Sequence, residues 1–165
     1  MIRIEQYTEY RKAEVCSLLV NPEQTEFTIG KMPEVLADLQ AHEHACLITI
    51  NHQVAGSFIL DTRYAETYRF CPEDALGVRA LLIDKAFQGQ GIASQGIRAL
   101  PAFVQRHYPD VQALYLTVNC HNLPAYQCYL KTGFQDTGDL YYGGPAGPQH
   151  ILFKHLSGEH ACSPE

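Results

Sequence analysis

The fold is decided by residues 77–107, which read GVRALLIDKAFQGQGIASQGIRALPAFVQRH. The apolar run at 77–84 is typical of a buried strand, and apolar residues then recur at helical spacing from about residue 91 to 107. The glycine-rich turn from Gln88 to Gly91 joins the two. Unpaired N–H groups at a helix start, beside glycines that allow close approach, form a cradle for an anion. The sequence therefore predicts a strand, an anion-binding loop and a helix.

Two common phosphate-binding motifs do not fit this loop. A Walker loop requires a lysine followed by serine or threonine after its last glycine, and none follows Gly91. A dinucleotide-binding fingerprint requires a third glycine where Ser94 stands, and it belongs to the first βα unit of a parallel sheet. A tight turn without a ligand is the remaining alternative to an anion site of another kind.

Hydrophobic periodicity places the other elements around this centre. A helix is predicted from Thr8 to about residue 20 and another from Pro33. Residues 61–76 are predicted to be a long loop, of the kind that is often functional in compact domains. The remaining segments are predicted strands at 2–7, 45–50, 54–60, 112–118, 134–142 and 150–156, and a helix at 123–131. This order predicts a mixed α/β (α+β) fold with a central, twisted, largely antiparallel sheet of about seven strands and about four helices on both faces. One domain is expected at 1–157, followed by a tail at 158–165.

Composition excludes several classes of protein. The chain has 165 residues with 12 Lys and Arg against 18 Asp and Glu, so its net charge of −6 disfavours binding to nucleic acid. No apolar run is long enough to span a membrane, and residues 1–20 lack a secretory apolar region, so a cytoplasmic protein is expected. The six cysteines are expected to be reduced core residues. No metal is expected, because His42-Glu43-His44 lacks a third ligand nearby in the sequence.

A second motif occupies residues 119–134, which read NCHNLPAYQCYLKTGF. Asn122 suits the position that caps a helix, and Gly133 suits the position just after its end. The helical spacing of Asn122, Ala125 and Tyr129 places them on one face, where the small alanine leaves a shallow groove between two polar groups. The alternative is a half-buried Tyr129 whose hydroxyl is bonded to a backbone carbonyl.

Together the two motifs resemble those of the GNAT superfamily of N-acetyltransferases. Gln88-x-x-Gly91-x-Ala93 resembles that family's Q/R-x-x-G-x-G/A pyrophosphate loop. Residues 119–134 resemble its N-x-x-N-x-x-A-x-x-x-Y-x-x-x-G-F motif, in the matching order along the chain. The resemblance covers nearly the whole chain, with residues 1–76 matching only in outline.

The resemblance implies acetyl-CoA as the co-substrate. Its pyrophosphate would lie on the N–H groups from Gly89 to Ser94, its pantetheine arm would pair with residues 81–83, and Asn122 would bond the arm. A backbone N–H of residues 81–83 would stabilise the oxyanion, and Tyr129 would be the catalytic acid. The implied donor-binding residues are Leu81, Leu82, Ile83, Gln88, Gly89, Gln90, Gly91, Ile92, Ala93, Ser94 and Asn122.

The general base is not fixed by the resemblance. Some family members carry a glutamate on the strand before the pyrophosphate loop, where this chain has Gly77. The candidates, acting directly or through water, are Glu26, Tyr115, His121 and His150.

The expected acceptor is a primary amine on a small molecule. An excess of acidic residues in the expected rim segments 23–31, 61–76 and 141–150 favours a polyamine, whereas Arg79 on the strand beside the thioester favours an acceptor carboxylate. The alternatives are a protein acetyltransferase acting on N-terminal or lysine amines, and a non-catalytic CoA-binding regulatory module. A homodimer is left open as one alternative for the oligomeric state.

Overall fold

The computed structural model describes residues 1–18 and 32–156. They contain a seven-stranded sheet with the order β1-β2-β3-β4-β5-β7-β6, in which β4 and β5 are parallel and all other neighbours are antiparallel. The strands are β1 (Ile2–Gln6), β2 (Glu43–Ile50), β3 (Gln53–Asp61), β4 (Ala75–Ile83), β5 (Ala113–Asn119), β6 (Gln135–Tyr141) and β7 (Gln149–His155). The predicted mixed, largely antiparallel sheet is confirmed.

Five α-helices and two short 3-10 turns, at Glu9–Arg11 and Lys85–Phe87, lie in the described part of the chain. The helices are α1 (Lys12–Cys16), α2 (Met32–Ala37), α3 (Tyr64–Thr67), α4 (Ile92–His107) and α5 (Leu123–Lys131). Helix α3 lies in the segment predicted to be a loop, because its four residues are too few to show a helical period. The described helix after Thr8 ends at Cys16, and the Thr8 side chain does not cap it. Within residues 1–18 and 32–156, no helix is both long and apolar enough to cross a bilayer.

The helices cover both faces of the sheet, as predicted. Successive residues of β2 pack in different hydrophobic clusters. Ile48 packs with Ile97 and Leu100 of α4, whereas Leu47 packs with Val15 of α1. This separation follows from the two-residue period of a strand, which points successive side chains to opposite faces. The boundary between the predicted domain and the tail at 158–165 lies outside the described residues and stays a prediction.

The sheet opens where β4 and β5 separate. Their parallel pairing is limited to residues 75–77 of β4 and 113–115 of β5. On its other side β4 carries a bulge, because Ala80 and Leu81 both lie opposite Phe58 of β3, and Ala80 has a φ of +55°. The rest of β4 therefore diverges from β5 and leaves a gap at the carboxyl ends of the two parallel strands, where ligand sites of open α/β sheets occur.

Candidate active site

The loop before α4 has the geometry of an anion cradle. Gly89 and Gly91 have φ values of +80° and +75°, which side chains rarely adopt. A Cβ at Gly89 would meet no atom within 4 Å, so the space above the loop is open. The N–H of Gln95 donates to the carbonyl of Gly91. The N–H groups of residues 92–94 precede that bond and have no acceptor within the helix.

The loop is anchored to the end of β4. The Gln88 side-chain amide donates to the carbonyl of Ile83 at 3.0 Å. The amide of Gln90 donates to the carbonyl of Ala86 at 3.2 Å, and this side chain is exposed. These bonds hold the glycines at the edge of the gap between β4 and β5.

A cavity of about 320 Å³, which we call the loop cavity, lies between this loop, the end of β4 and the start of α5. All the donor-binding residues implied by the sequence line it except Gln90. The remaining lining residues are Phe87, Pro124, Ala125 and Cys128. The structure thus brings together residues from three separate segments of the chain.

A second cavity of about 400 Å³, the sheet cavity, occupies the gap between β4 and β5. It adjoins the loop cavity, since the two share the lining residues Leu81, Ala93, Asn122, Ala125 and Cys128. The small Ala125 on the groove face of α5 lies at this junction, in agreement with the spacing of the second motif.

Tyr129 lies in the sheet cavity with an unpaired hydroxyl. Its residue is 8% exposed, and its ring packs edge-on against Phe134 with centroids 5.4 Å apart. The hydroxyl makes no hydrogen bond with a described residue, so the alternative of a bond to a backbone carbonyl is wrong within the described part of the chain. Burial, with a smaller contribution from the charge of Cys128, raises the pKa of the phenol, which keeps it protonated at neutral pH.

The two asparagines of the second motif have different surroundings. Asn122 occupies the cap position of α5, but its side chain makes no capping bond, which corrects the expected capping role; it lines both cavities instead. Asn119 is buried, donates to the carbonyl of Ala146 at 2.8 Å and accepts from the N–H of His121 at 2.8 Å. Asn119 therefore fastens the turn at 143–148 as a wall of the sheet cavity, a role the sequence reasoning missed.

None of the described candidates for the general base lines either cavity. Tyr115 packs among other aromatic rings, and His121 is exposed. His150 stacks on Tyr126 at 4.1 Å, away from the cavities. Glu26 lies outside the described residues.

Tyr64 fills the space above Gly77. A Cβ at residue 77 would overlap the Tyr64 ring, so only a glycine fits there without moving the ring. Tyr64 is 2% exposed and lines the sheet cavity. Burial raises the pKa of Tyr64. A neutral phenol from α3 thus lies where the resemblance would place a glutamate, and no sequence signal tied residue 64 to residue 77.

Besides Tyr129, three tyrosines and one arginine line the sheet cavity. Tyr64 and Tyr68 have ring centroids 4.3 Å apart, and Tyr68 meets Tyr141 edge-on at 5.2 Å. Arg79 is the charged residue among the described lining residues, and its Nη1 donates to Glu43 at 2.7 Å. The described acids of the predicted rim do not line the cavity: these are Asp61, Glu66, Glu73 and Asp74. The rim residues at 23–31 lie outside the described part.

The His42-Glu43-His44 segment does acquire a third polar neighbour in the fold. Asp61 lies opposite Glu43 in the β2–β3 pair, and side-chain atoms of His42, Glu43 and Asp61 lie within 4.8 Å of one another. Cross-strand pairing created this proximity, which sequence spacing did not show. Glu43 is bonded to Arg79, and Asp61 accepts from the N–H of Arg63 at 2.9 Å, so both carboxylates already have partners.

Comparison with known proteins agrees with this fold. A solved structure of the aminoglycoside acetyltransferase AAC(6')-Ib, in complex with paromomycin and acetyl-CoA, has a TM-score of 0.76 at 20% identity, covering 99% of this chain and 98% of that one. The ribosomal-protein-S18-alanine N-acetyltransferase from Escherichia coli has a TM-score of 0.65 at 15% identity and covers 94% of each chain. These likenesses show a shared fold.

Sequence comparison identifies the family. The chain is 37% identical over 82 residues to the uncharacterized N-acetyltransferase YbbJ of Bacillus subtilis (strain 168), a match that covers 50% of this chain and only about half of that relative, 51%. The model of the acetyltransferase (GNAT) family matches residues 13–134, which include both motifs. The chain therefore belongs to the acetyltransferase (GNAT) family.

Proposed function

We propose that the protein transfers the acetyl group of acetyl-CoA to a primary amine of a small molecule by direct attack in a ternary complex. The observation that carries this proposal is the pair of adjoining cavities that extends from the open start of α4 to the Tyr129 hydroxyl, which has no partner among the described residues. A diphosphate fits one end of such a cavity, and a reacting thioester fits the other.

The loop cavity holds the donor. The free N–H groups of residues 92–94 and the positive end of the α4 dipole bind the pyrophosphate. The space that a Cβ would fill at Gly89 lets the phosphates approach the backbone. Residues 81–83 lie on the part of β4 that β5 has left, so an extended pantetheine arm adds there like a strand, with Asn122 facing it from α5.

The chemistry takes place where the two cavities join. A neutral amine attacks the thioester carbonyl, and a backbone N–H of residues 81–83 stabilises the oxyanion. The C–N bond forms and the C–S bond breaks, and Tyr129 gives its proton to the leaving thiolate. The amine releases a proton to water, and the Tyr129 phenolate takes a proton from water, which restores the phenol. The phenol is protonated at neutral pH and therefore carries the proton that the leaving thiolate needs.

The amine must arrive without its extra proton or lose it through water. Among the described residues, no carboxylate or histidine lines the sheet cavity. Tyr64 occupies the space above Gly77. Because burial raises its pKa, its phenol stays protonated at neutral pH and cannot accept a proton from the amine. Glu26 stays open as a candidate because it lies outside the described residues.

The walls of the sheet cavity favour a small acceptor over an extended peptide. Asn119 holds the turn at 143–148 over one side, and Tyr64 and Tyr68 close another. The protein-acetyltransferase alternative requires an open groove, and a regulatory module that only binds CoA has no need of the Tyr129 hydroxyl. Both observations support catalysis on a small molecule.

The donor site is tested by thermal unfolding with acetyl-CoA and with free CoA. At a ligand concentration of 100 Kd, binding stabilises the fold by about 2.7 kcal/mol, which raises Tm by roughly 5–11 °C. Gly91→Glu places a charged side chain in the cradle and should abolish this shift. Gly138→Glu is the matched control, because Gly138 also has a positive φ, of +91°, and open space around it, but it lines neither cavity.

The transfer step is tested by release of the CoA thiol with a panel of primary amines. Amine-dependent release together with the acetylated amine supports the proposal. An undiminished Tm shift in Gly91→Glu would refute the donor site, and donor binding without transfer to any amine would refute catalysis.

A further inference from the structure

We propose that the acceptor carries a carboxylate in addition to its amine, and that Arg79 binds this carboxylate. The inference rests on the proposed function and specifies the substrate class of the same site. It makes Arg79 the residue that determines specificity in the sheet cavity.

The guanidinium of Arg79 is oriented but not saturated. Its Nη1 donates to Oε2 of Glu43 at 2.7 Å, and the side chain is 25% exposed. Glu43 is itself fixed, since its Oε1 accepts from the N–H of Gln40 at 2.9 Å. The Nε and Nη2 groups of Arg79 make no hydrogen bond with a described residue. Two parallel N–H donors in a fixed plane match a carboxylate.

Two carboxylates lie near Arg79 and affect how it can bind a carboxylate of the acceptor. Glu43 pairs with Arg79, and Asp61 and His42 lie close to Glu43. Asp61 accepts from the N–H of Arg63 and lies 3.8 Å from the His42 ring. The two carboxylates offset the positive charge of Arg79, so selection depends on the directed N–H donors at short range and not on the overall field.

Tyr64, Tyr68 and Tyr141 form one side of the sheet cavity, which we call the tyrosine wall, and this wall favours such an acceptor over a polycation. Tyr68 contacts the rings of Tyr64, Phe70 and Tyr141, at centroid distances of 4.3, 5.4 and 5.2 Å. Its ring is thus engaged within the wall, and cation binding requires a free ring face. The wall instead provides apolar surface for the body of the acceptor.

The two ends of the acceptor site have a suitable separation. Arg79 and Leu81 are two residues apart on β4 with the bulge at Ala80 between them, so their Cα atoms lie at most about 7 Å apart. Leu81 lies at the junction of the two cavities, where the thioester is proposed to react, and Arg79 lines only the sheet cavity. An amino acid spans such a distance when its carboxylate lies on the guanidinium and its amine points to the junction.

The test compares kcat/KM for acceptors that differ only in the carboxylate. The pairs are phenylalanine with phenethylamine and lysine with cadaverine, and spermidine represents polycations. We expect the carboxylate-bearing member to be preferred by about tenfold to a hundredfold, the discrimination typical of a charged hydrogen bond. Arg79→Gln should reduce this ratio to near one.

Arg63→Gln is the matched control. Arg63 is 57% exposed, pairs with Glu66 and does not line the sheet cavity, so the ratio should not change. The Tm shift with CoA verifies that each variant is folded and binds the donor. Preference for the amine without a carboxylate, preference for spermidine, or a ratio unaffected by Arg79→Gln would overturn the inference while the proposed function stands. Absence of transfer to every acceptor would overturn the proposed function itself.

Discussion

Replacing Tyr129 by Phe separates the catalytic role of the hydroxyl from its structural role. The hydroxyl has no hydrogen-bond partner among the described residues, so its removal should change the free energy of unfolding by no more than about 0.5 kcal/mol, or about 2 °C in Tm. Loss of a positioned acid lowers kcat by roughly 10²–10⁴, which corresponds to about 2.7–5.4 kcal/mol of barrier. Donor affinity, measured by calorimetry, should stay within a few-fold.

Tyr126→Phe provides the opposite pattern as a control. The Tyr126 hydroxyl donates to Asp136 at 2.7 Å and lies outside both cavities. Its loss should lower the free energy of unfolding by about 1 kcal/mol and leave kcat nearly unchanged. Steady-state kinetics and thermal unfolding of both variants suffice. A kcat within threefold of wild type in Tyr129→Phe, or a change confined to KM for acetyl-CoA, would refute the acid role.

Three further predictions concern packing and pH. Gly77→Ala should push the Tyr64 ring from its place and cost about 1–3 kcal/mol, with a higher KM for the acceptor but an unchanged Tm shift by CoA; an unchanged acceptor KM would contradict the packing argument. Because burial raises the pKa of Tyr129, kcat should show no alkaline decline below about pH 10, and a decline near pH 8 would assign the acid elsewhere. Burial acts to raise the pKa of Asp136, but hydrogen bonds from Tyr126 and the N–H of Gly138, with the nearby His150, lower it overall. Its carboxylate therefore stabilises the fold above about pH 4, and this contribution is lost as pH falls through the folded pKa, so the Tm difference between wild type and Asp136→Asn should disappear in acid; a constant difference would contradict it.

Local patterns predicted the elements that have strong periodicity or punctuation. The strand and helix around Gly91 and the helix at 123–131 were predicted close to their observed bounds, because a glycine turn and a first-turn Pro124 mark their starts. Helix α3 was missed, since a single turn buries too few residues to produce a pattern. Residue type alone was also insufficient at Thr8: threonine suits a cap position, but its side chain makes no capping bond.

The sequence by itself determined the family and the strand, glycine turn and helix around Gly91, because their residues are close together in the chain and their pattern belongs to the backbone and to helix spacing. Only the tertiary structure decided the lining of the sheet cavity. The overlap of Tyr64 with the space above Gly77, the Asn119 bond to residue 146 and the pairing of Arg79 with Glu43 join residues 13, 27 and 36 positions apart. Such contacts arise from strand pairing and from the gap between β4 and β5, and they leave no period or spacing in the sequence, since each depends on which distant segment the packed sheet brings alongside.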